Sequence, residues 1–282
     1  MRMLGSAPVR VLDDRYRDEV LSILDANSVA NVFVASRVHA IGLDQARLGA
    51  QMWGYLENGR LRSLCYAGAN LVPVAATSEA VRAFAERARV QGRRCSSIVG
   101  PIDAVTELWE MLEPYWGPPR AIRRVQPVMA TSATPPVAPD PAVRRVRMEE
   151  FDVIYPACVA MFTEEVGISP SSGDGGVLYR ARVAELIRAG RSFARIENGR
   201  VIFKAEVGAV TPYACQVQGV WVDPALRGKG IAVHGMAALV QEALRTIAPT
   251  VTLYVNDYNA PARAAYRHVG FTDVDTFMSV LF

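Results

Sequence analysis

The chain has 282 residues, 51% of them apolar and 21% charged, with a net charge of +3. That length favours two cores of ordinary size, the composition is globular, and so small a charge gives no ground for a nucleic-acid partner. No apolar run reaches the roughly 18 residues of a membrane span, and the opening MRMLGSAPVR lacks the apolar stretch of an export signal, so no membrane association and a cytoplasmic location are expected.

Periodicity in the first half gives a strand at 9–12, helices at 15–26 and 29–41, and strands at 52–57, 60–66 and 71–75. A helix at 78–91, a strand at 95–99, a helix at 104–115 and a strand at 122–129 complete it. The stretch 131–141, TSATPPVAPDP, has four prolines and no periodicity, the composition of a stiff, solvated connector. The expected division is a domain over 1–130, a linker over 131–142 and a domain over 143–282. The second half reads as a strand at 143–148, helices at 150–164 and 177–189, and strands at 192–197, 200–210 and 214–222. A helix at 230–247, a strand at 251–256, a helix at 261–269 and a last strand pair or single long strand close the chain. The two halves repeat nearly one element order. Glu57-Asn58-Gly59-Arg60 recurs as Glu197-Asn198-Gly199-Arg200, each time between strands, where Asn-Gly suits a type I′ hairpin. An internal duplication of an α/β unit follows.

The four cysteines form no CxxC pair and the three histidines are scattered, so neither a metal site nor a disulfide framework is expected. The clearest chemical signal is the run from Gln218 to Leu244, where an apolar strand ends at Asp223-Pro224, a turn supplies Arg227, Gly228, Lys229 and Gly230, and an apolar helix begins at once. A helix start leaves main-chain N–H groups unpaired at the positive end of the dipole, a ready site for phosphate oxygens. Without Cβ atoms, Gly228 and Gly230 let the backbone approach a pyrophosphate; Arg227 and Lys229 add charge, and small Ala232 leaves the first turn uncrowded. Neither the P-loop nor the dinucleotide-binding pattern fits this run.

Arg227-x-x-Gly230-x-Ala232, after a strand and opening a helix, resembles the R/Q-x-x-G-x-G/A signature of the GNAT acyltransferases. Asn259-x-x-Ala262-x-x-x-Tyr266-x-x-x-Gly270-Phe271 resembles that family's second motif. The likeness covers about 143–282 with its motifs and the first half through element order, and the whole resembles actinobacterial two-domain proteins in which a degenerate GNAT-like domain precedes a complete one. It implies tandem GNAT-like domains, each a mostly antiparallel central sheet flanked by helices, with strands 214–222 and 251–256 splayed around an acyl-CoA site. It implies acetyl-CoA as cosubstrate. The pantetheine arm would pair near Val220 and Val222, and the pyrophosphate would rest on Gly228, Lys229, Gly230, Ile231 and Ala232 beside Arg227.

Asn256 and Asn259 would hold the pantetheine, although Asn259, directly before Ala-Pro, reads equally well as a helix N-cap. Tyr266 matches the family's general acid, which protonates the departing thiolate; taken alone it is a helix tyrosine packed on the sheet. Glu206, in mid-strand, is the first candidate for general base, with a solvated charge as the other reading. Glu164 and Glu165 either bind a cationic amine or form a solvated helix end, although like charges there oppose the dipole. The loop 169–176 has the composition to close over an acceptor.

The first half has no Gly-rich turn before its helix at 78–91, and Glu79 puts a negative charge where a pyrophosphate needs a positive one. Trp109 and Trp116 read as packing. The expected activity is transfer of acetyl from acetyl-CoA to a primary amine, of a small molecule or a peptide, by direct attack and without metal. A non-catalytic CoA-binding scaffold and a tRNA-dependent aminoacyl transferase are the alternatives.

Overall fold

A computed structural model describes residues 9–172 and 175–282. Strands β1 (Val9–Leu12), β2 (Gln51–Glu57), β3 (Arg60–Ala67), β4 (Asn70–Val74), β5 (Ser97–Pro101) and β6 (Ala121–Thr131) alternate with helices α1 (Arg17–Asp25), α2 (Val32–Ile41), α3 (Gln45–Leu48), α4 (Ser78–Gln91) and α5 (Ile102–Trp116). Then come β7 (Arg144–Arg145), α6 (Phe151–Val166), α7 (Val177–Arg188), β8 (Ser192–Glu197), β9 (Arg200–Val210) and β10 (Cys215–Val222). The chain closes with α8 (Ile231–Thr246), β11 (Val251–Tyr254), α9 (Ala260–Val269) and a single long strand, β12 (Thr272–Leu281). Two compact units result: one takes residues up to Val128 with Tyr254–Tyr258 and Asp273–Phe282, the other takes Met129–Leu253 and Asn259–Thr272.

In the first unit the strand order is β1-β2-β3-β4-β5-β12-β6. The first four strands pair antiparallel and β4 meets β5 in parallel over two residue pairs, Asn70 with Ser97 and Leu71 with Ile98. The chain's last strand lies antiparallel against β5, Phe277 opposite Pro101 and Leu281 opposite Ser97. Both Asn58 and Gly59 have positive φ, 49° and 78°, as a type I′ turn requires. Phe84, Trp109, Leu112, Met278 and Val280 share one core. The Trp109 and Trp116 rings pack on Phe282 at 5.6 and 5.8 Å, so the packing reading of these indoles holds.

The second unit repeats the pattern: β7, β8, β9 and β10 pair antiparallel, then β10 runs parallel to β11. Asn198 and Gly199, at 49° and 72°, form its matching hairpin. Helices α6 and α7 bury Ile154, Cys158, Val183 and Ile187 against Ala194 and Val201. A Cβ on Gly235 of α8 would lie 2.8 Å from the Phe203 ring, so this glycine sets how closely the helix approaches β9.

One expectation changes here. The strand expected at 143–148 shrinks to Arg144–Arg145, because Glu150 accepts the Arg147 main-chain N–H at 2.9 Å and starts a helical turn instead. The Pro-rich stretch is mostly exposed and is also fastened at its end: His234 Nδ1 lies 2.8 Å from the Ala138 carbonyl, and the Asp140 N–H donates to the His234 carbonyl at 3.0 Å. The Asp140 carboxylate also pairs with Arg195 at 3.0 Å. All four cysteines are free and buried, and burial pushes the Cys95 thiol to about 11 and the Cys215 thiol to about 12. Among the described residues no helix is long and apolar enough to cross a membrane.

Candidate functional site

The turn into α8 is built by Asp223. Its carboxylate accepts the Ala225 N–H at 3.0 Å and pairs with Arg200, which holds the acid below its usual range. The chain passes through Gly228 at φ 78° into Gly230 at 76°, the N-cap of α8. A Cβ on Gly228 would meet nothing within 4 Å, and one on Gly230 only His234 at 3.9 Å, so the backbone angle demands glycine here more than crowding does. No side chain caps α8, and its first hydrogen bond is Val233 N–H to the Gly230 carbonyl. The N–H groups before Val233 therefore face outward from an exposed turn, an anion-binding geometry. Arg227 is anchored there: its Nε donates to the Val222 carbonyl at 3.1 Å and its Nη2 to Glu164 at 2.7 Å. That pair is about half exposed, worth roughly 0–1 kcal/mol, so an incoming phosphate can compete for the guanidinium.

Before the turn, β10 leaves β11. Their parallel pairing covers Cys215 with Val251 and Gln216 with Thr252. Beyond it β10 bulges between Gln218 and Trp221, with Gly219 at φ 62°. Val220 and Val222 are half-buried along this stretch. Behind the bulge sits a charge pair that period-two reading missed. Lys204 is wholly buried and donates to Glu206 Oε2 at 3.2 Å, while Gln218 Nε2 donates to Glu206 Oε1 at 3.0 Å. Burial opposes the Lys204 ammonium, but Glu206 and Cys158 outweigh it and hold its pKa above the ordinary value. A Cβ on Gly219 would lie 3.1 Å from both the Lys204 nitrogen and the Glu206 carboxyl carbon, and one on Gly208 would overlap the Gln218 amide. Glu206 is thus neither solvated nor free, and both oxygens serve this lock. Lys204→Met, which strands the carboxylate, is expected to cost about 3–5 kcal/mol in urea unfolding, and adding Glu206→Leu to recover most of it; an unchanged midpoint in the single variant would show that the lock carries no weight.

Tyr266, on α9, is 7% exposed, and among the described residues its hydroxyl has no hydrogen-bond partner. Burial first, and the Glu165 carboxylate second, push the phenol well above its usual range, so it stays protonated at neutral pH. Asn259 Oδ1 accepts the Ala262 N–H at 3.2 Å and so caps α9, the helix that carries Tyr266. Glu164 and Glu165, expected together at an acceptor site, have separate surroundings: Glu164 accepts from Trp221 Nε1 at 3.2 Å as well as from Arg227, and Glu165 faces Tyr266. Asn256 is described with the first unit. There Gln126 Nε2 donates to its Oδ1 at 3.0 Å and the Ser279 hydroxyl donates to Gln126 Oε1 at 2.6 Å. Of the loop 169–176, residues 173 and 174 lie outside the described residues.

In the first unit the equivalent helix start is already taken. Thr77 caps α4 by accepting the Ala80 N–H at 3.3 Å, and the Glu79 carboxylate is held below its usual range by its own main-chain N–H and by Thr77. A built-in anion occupies the place where a second anion would have to sit.

Comparison with known proteins gives matches to two family models. Residues 50–154 match a domain of unknown function (DUF4081), and residues 172–271 match the acetyltransferase (GNAT) family. No curated protein matches. Among solved structures, a GNAT-family acetyltransferase from Colwellia psychrerythraea is similar at 14% identity and a TM-score of 0.59, covering 97% of this chain and 99% of that one. A GCN5-related N-acetyltransferase from Sphaerobacter thermophilus is similar at 16% identity and 0.61, over 96% and 93%. A tandem GNAT protein from the clavulanic acid biosynthesis pathway is similar at 14% identity and 0.55, over 97% and 98%. At these identities the structures speak to the fold, two GNAT-like units in tandem.

Proposed function

We propose, from the match of residues 172–271 to the acetyltransferase (GNAT) family, that the protein moves acetyl from acetyl-CoA to a primary amine by direct attack, using side chains of the second unit. The observation that carries the reading is the uncapped start of α8, entered through two positive-φ glycines and set at the end of a strand that parts from its neighbour after two residue pairs. The residues present fit the cosubstrate. The N–H groups from Gly228 to Ala232 take the pyrophosphate, Arg227 and Lys229 add charge, and main-chain groups at Val220 and Val222 line the pantetheine arm. Acetyl-CoA supplies the activated acyl group. Glu165, exposed and close enough to Tyr266 to raise its pKa, attracts the cationic acceptor, which gives one proton to solvent before its neutral nitrogen attacks and a second as the amide forms. Tyr266 gives its proton to the sulfur as the thiolate leaves, and the phenolate takes its proton back from solvent. Asn259 acts through its cap, fixing the helix from which Tyr266 projects. Glu206 is assigned to holding the bulge beside the thioester rather than to proton removal, because both its oxygens are engaged. The segment 1–130 serves as a supporting domain that binds no CoA, joined through 131–142 to an acyl-transfer domain over 143–282.

The test is release of CoA thiol from acetyl-CoA by the full chain with a panel of polyamines, aminoglycosides and peptides with free N-termini. Release that depends on the amine and yields the N-acetyl product supports the reading. Tight binding of acetyl-CoA with no release from any amine would overturn it in favour of a CoA-binding scaffold.

A further inference from the structure

The first unit holds a cavity of about 360 Å³ that acyl transfer does not use, lined where α3, the start of β2, the β3–β4 turn and the ends of α4 and α5 come together. Its size lies in the range of small-molecule sites, at the end suited to a single-ring ligand. A relay of amides runs along the wall: Trp53 Nε1 donates to Gln51 Oε1 at 2.8 Å, Gln91 Nε2 donates to the same oxygen at 3.4 Å, and Gln51 Nε2 donates to Gln45 Oε1 at 3.3 Å. This relay uses up Gln51 and leaves the Gln45 amide nitrogen unspent.

Two further donors belong to the same lining. Trp116 Nε1 is buried with no hydrogen-bond partner, an arrangement native structures rarely leave uncompensated. Arg94 has no ion-pair or hydrogen-bond partner among the described residues. Among the described residues the unspent side-chain groups of this lining are therefore mostly donors and include one full positive charge, with the Gln91 carbonyl as an acceptor. The remaining wall is largely apolar and includes parts of Trp53 and Trp116.

We propose that this cavity binds a small aromatic carboxylate, its carboxylate taken by Arg94 and the Trp116 N–H and its ring lodged beside Trp53. A carboxylate supplies acceptors only, matching a donor-rich wall, and a guanidinium is the side chain that binds it most strongly. The site gives the unit without a CoA turn a ligand of its own.

Calorimetric titration of the full chain with benzoate, and with benzamide as its neutral isostere, tests this. Benzoate is expected to bind about tenfold or more tightly than benzamide. Arg94→Gln should erase that difference. Trp116→Phe, which removes the N–H, should weaken benzoate more than benzamide. The proposal is overturned if benzoate does not bind up to about 10 mM, if it binds no more tightly than benzamide, or if neither substitution changes its affinity. None of these readouts depends on acyl transfer.

Discussion

Gly230→Trp is expected to abolish acetyl-CoA binding while the protein still unfolds cooperatively. Gly230 has φ 76° at the N-cap of α8, and a side chain on it meets little, its nearest neighbour being His234 at 3.9 Å from the Cβ. The substitution therefore costs mainly the left-handed backbone, about 1–2 kcal/mol, which a domain stable by about 5–15 kcal/mol survives. The indole, however, stands over the N–H groups that would receive the pyrophosphate. Calorimetry should find micromolar binding in the parent chain and none in the variant. Gly228→Ala, at φ 78° with open space around it, should weaken binding without removing it. Equal affinity in the parent and the tryptophan variant would mean that the cosubstrate does not use this helix start, and the proposed function would lose its main support.

Tyr266→Phe is expected to lower kcat by about 10²–10⁴-fold with KM nearly unchanged. Among the described residues the hydroxyl has no partner to lose, so the Tm should stay within a degree or so of the parent, which separates a chemical defect from a folding defect. The pH profile adds a second check. A general acid works while protonated, and burial together with Glu165 raises the pKa of this phenol. Activity should therefore persist through pH of about 10, where an ordinary tyrosine would be half ionised. A loss of activity centred near that pH, or a phenylalanine variant with full kcat, would remove Tyr266 from the proposed chemistry.

Local signals in the chain were legible in proportion to how locally they act. The Asn-Gly hairpins, the helix over Ser78–Gln91 and the strands over Ser192–Glu197 and Arg200–Val210 follow from turn chemistry and periodicity, and they stand where those rules put them. The turn at Arg227 to Gly230 was equally plain, because glycine and charge at a strand-to-helix junction have few other uses. What sequence reading could not reach is side-chain partnership across elements. Lys204 and Glu206 sit on one face of one strand, yet only the neighbouring Gln218, Gly219 and Cys158 turn them into a buried lock. The apolar residues Val201, Ile202, Phe203, Ala205 and Val207 on both sides of them were the hint that a lysine there would not reach solvent. Nothing local revealed that Glu164 meets Arg227, 63 positions away. The Pro-rich stretch is exposed, as its composition says, but its docking through main-chain groups at Ala138 and Asp140 leaves no mark in composition.

The placement of β12 against β5 has a consequence for how the protein is made. During synthesis most of the first unit is made early, yet its sheet lacks the strand beside β5 until Thr272–Leu281 has been made. Until then β5 presents an open edge, the feature that invites pairing with other chains. A nascent chain stalled before Thr272 therefore leaves the earlier-made unit as the unfinished one. A fragment starting at residue 143 would carry Thr272–Leu281 with no β5 to pair with, and its solubility should fall for that reason alone.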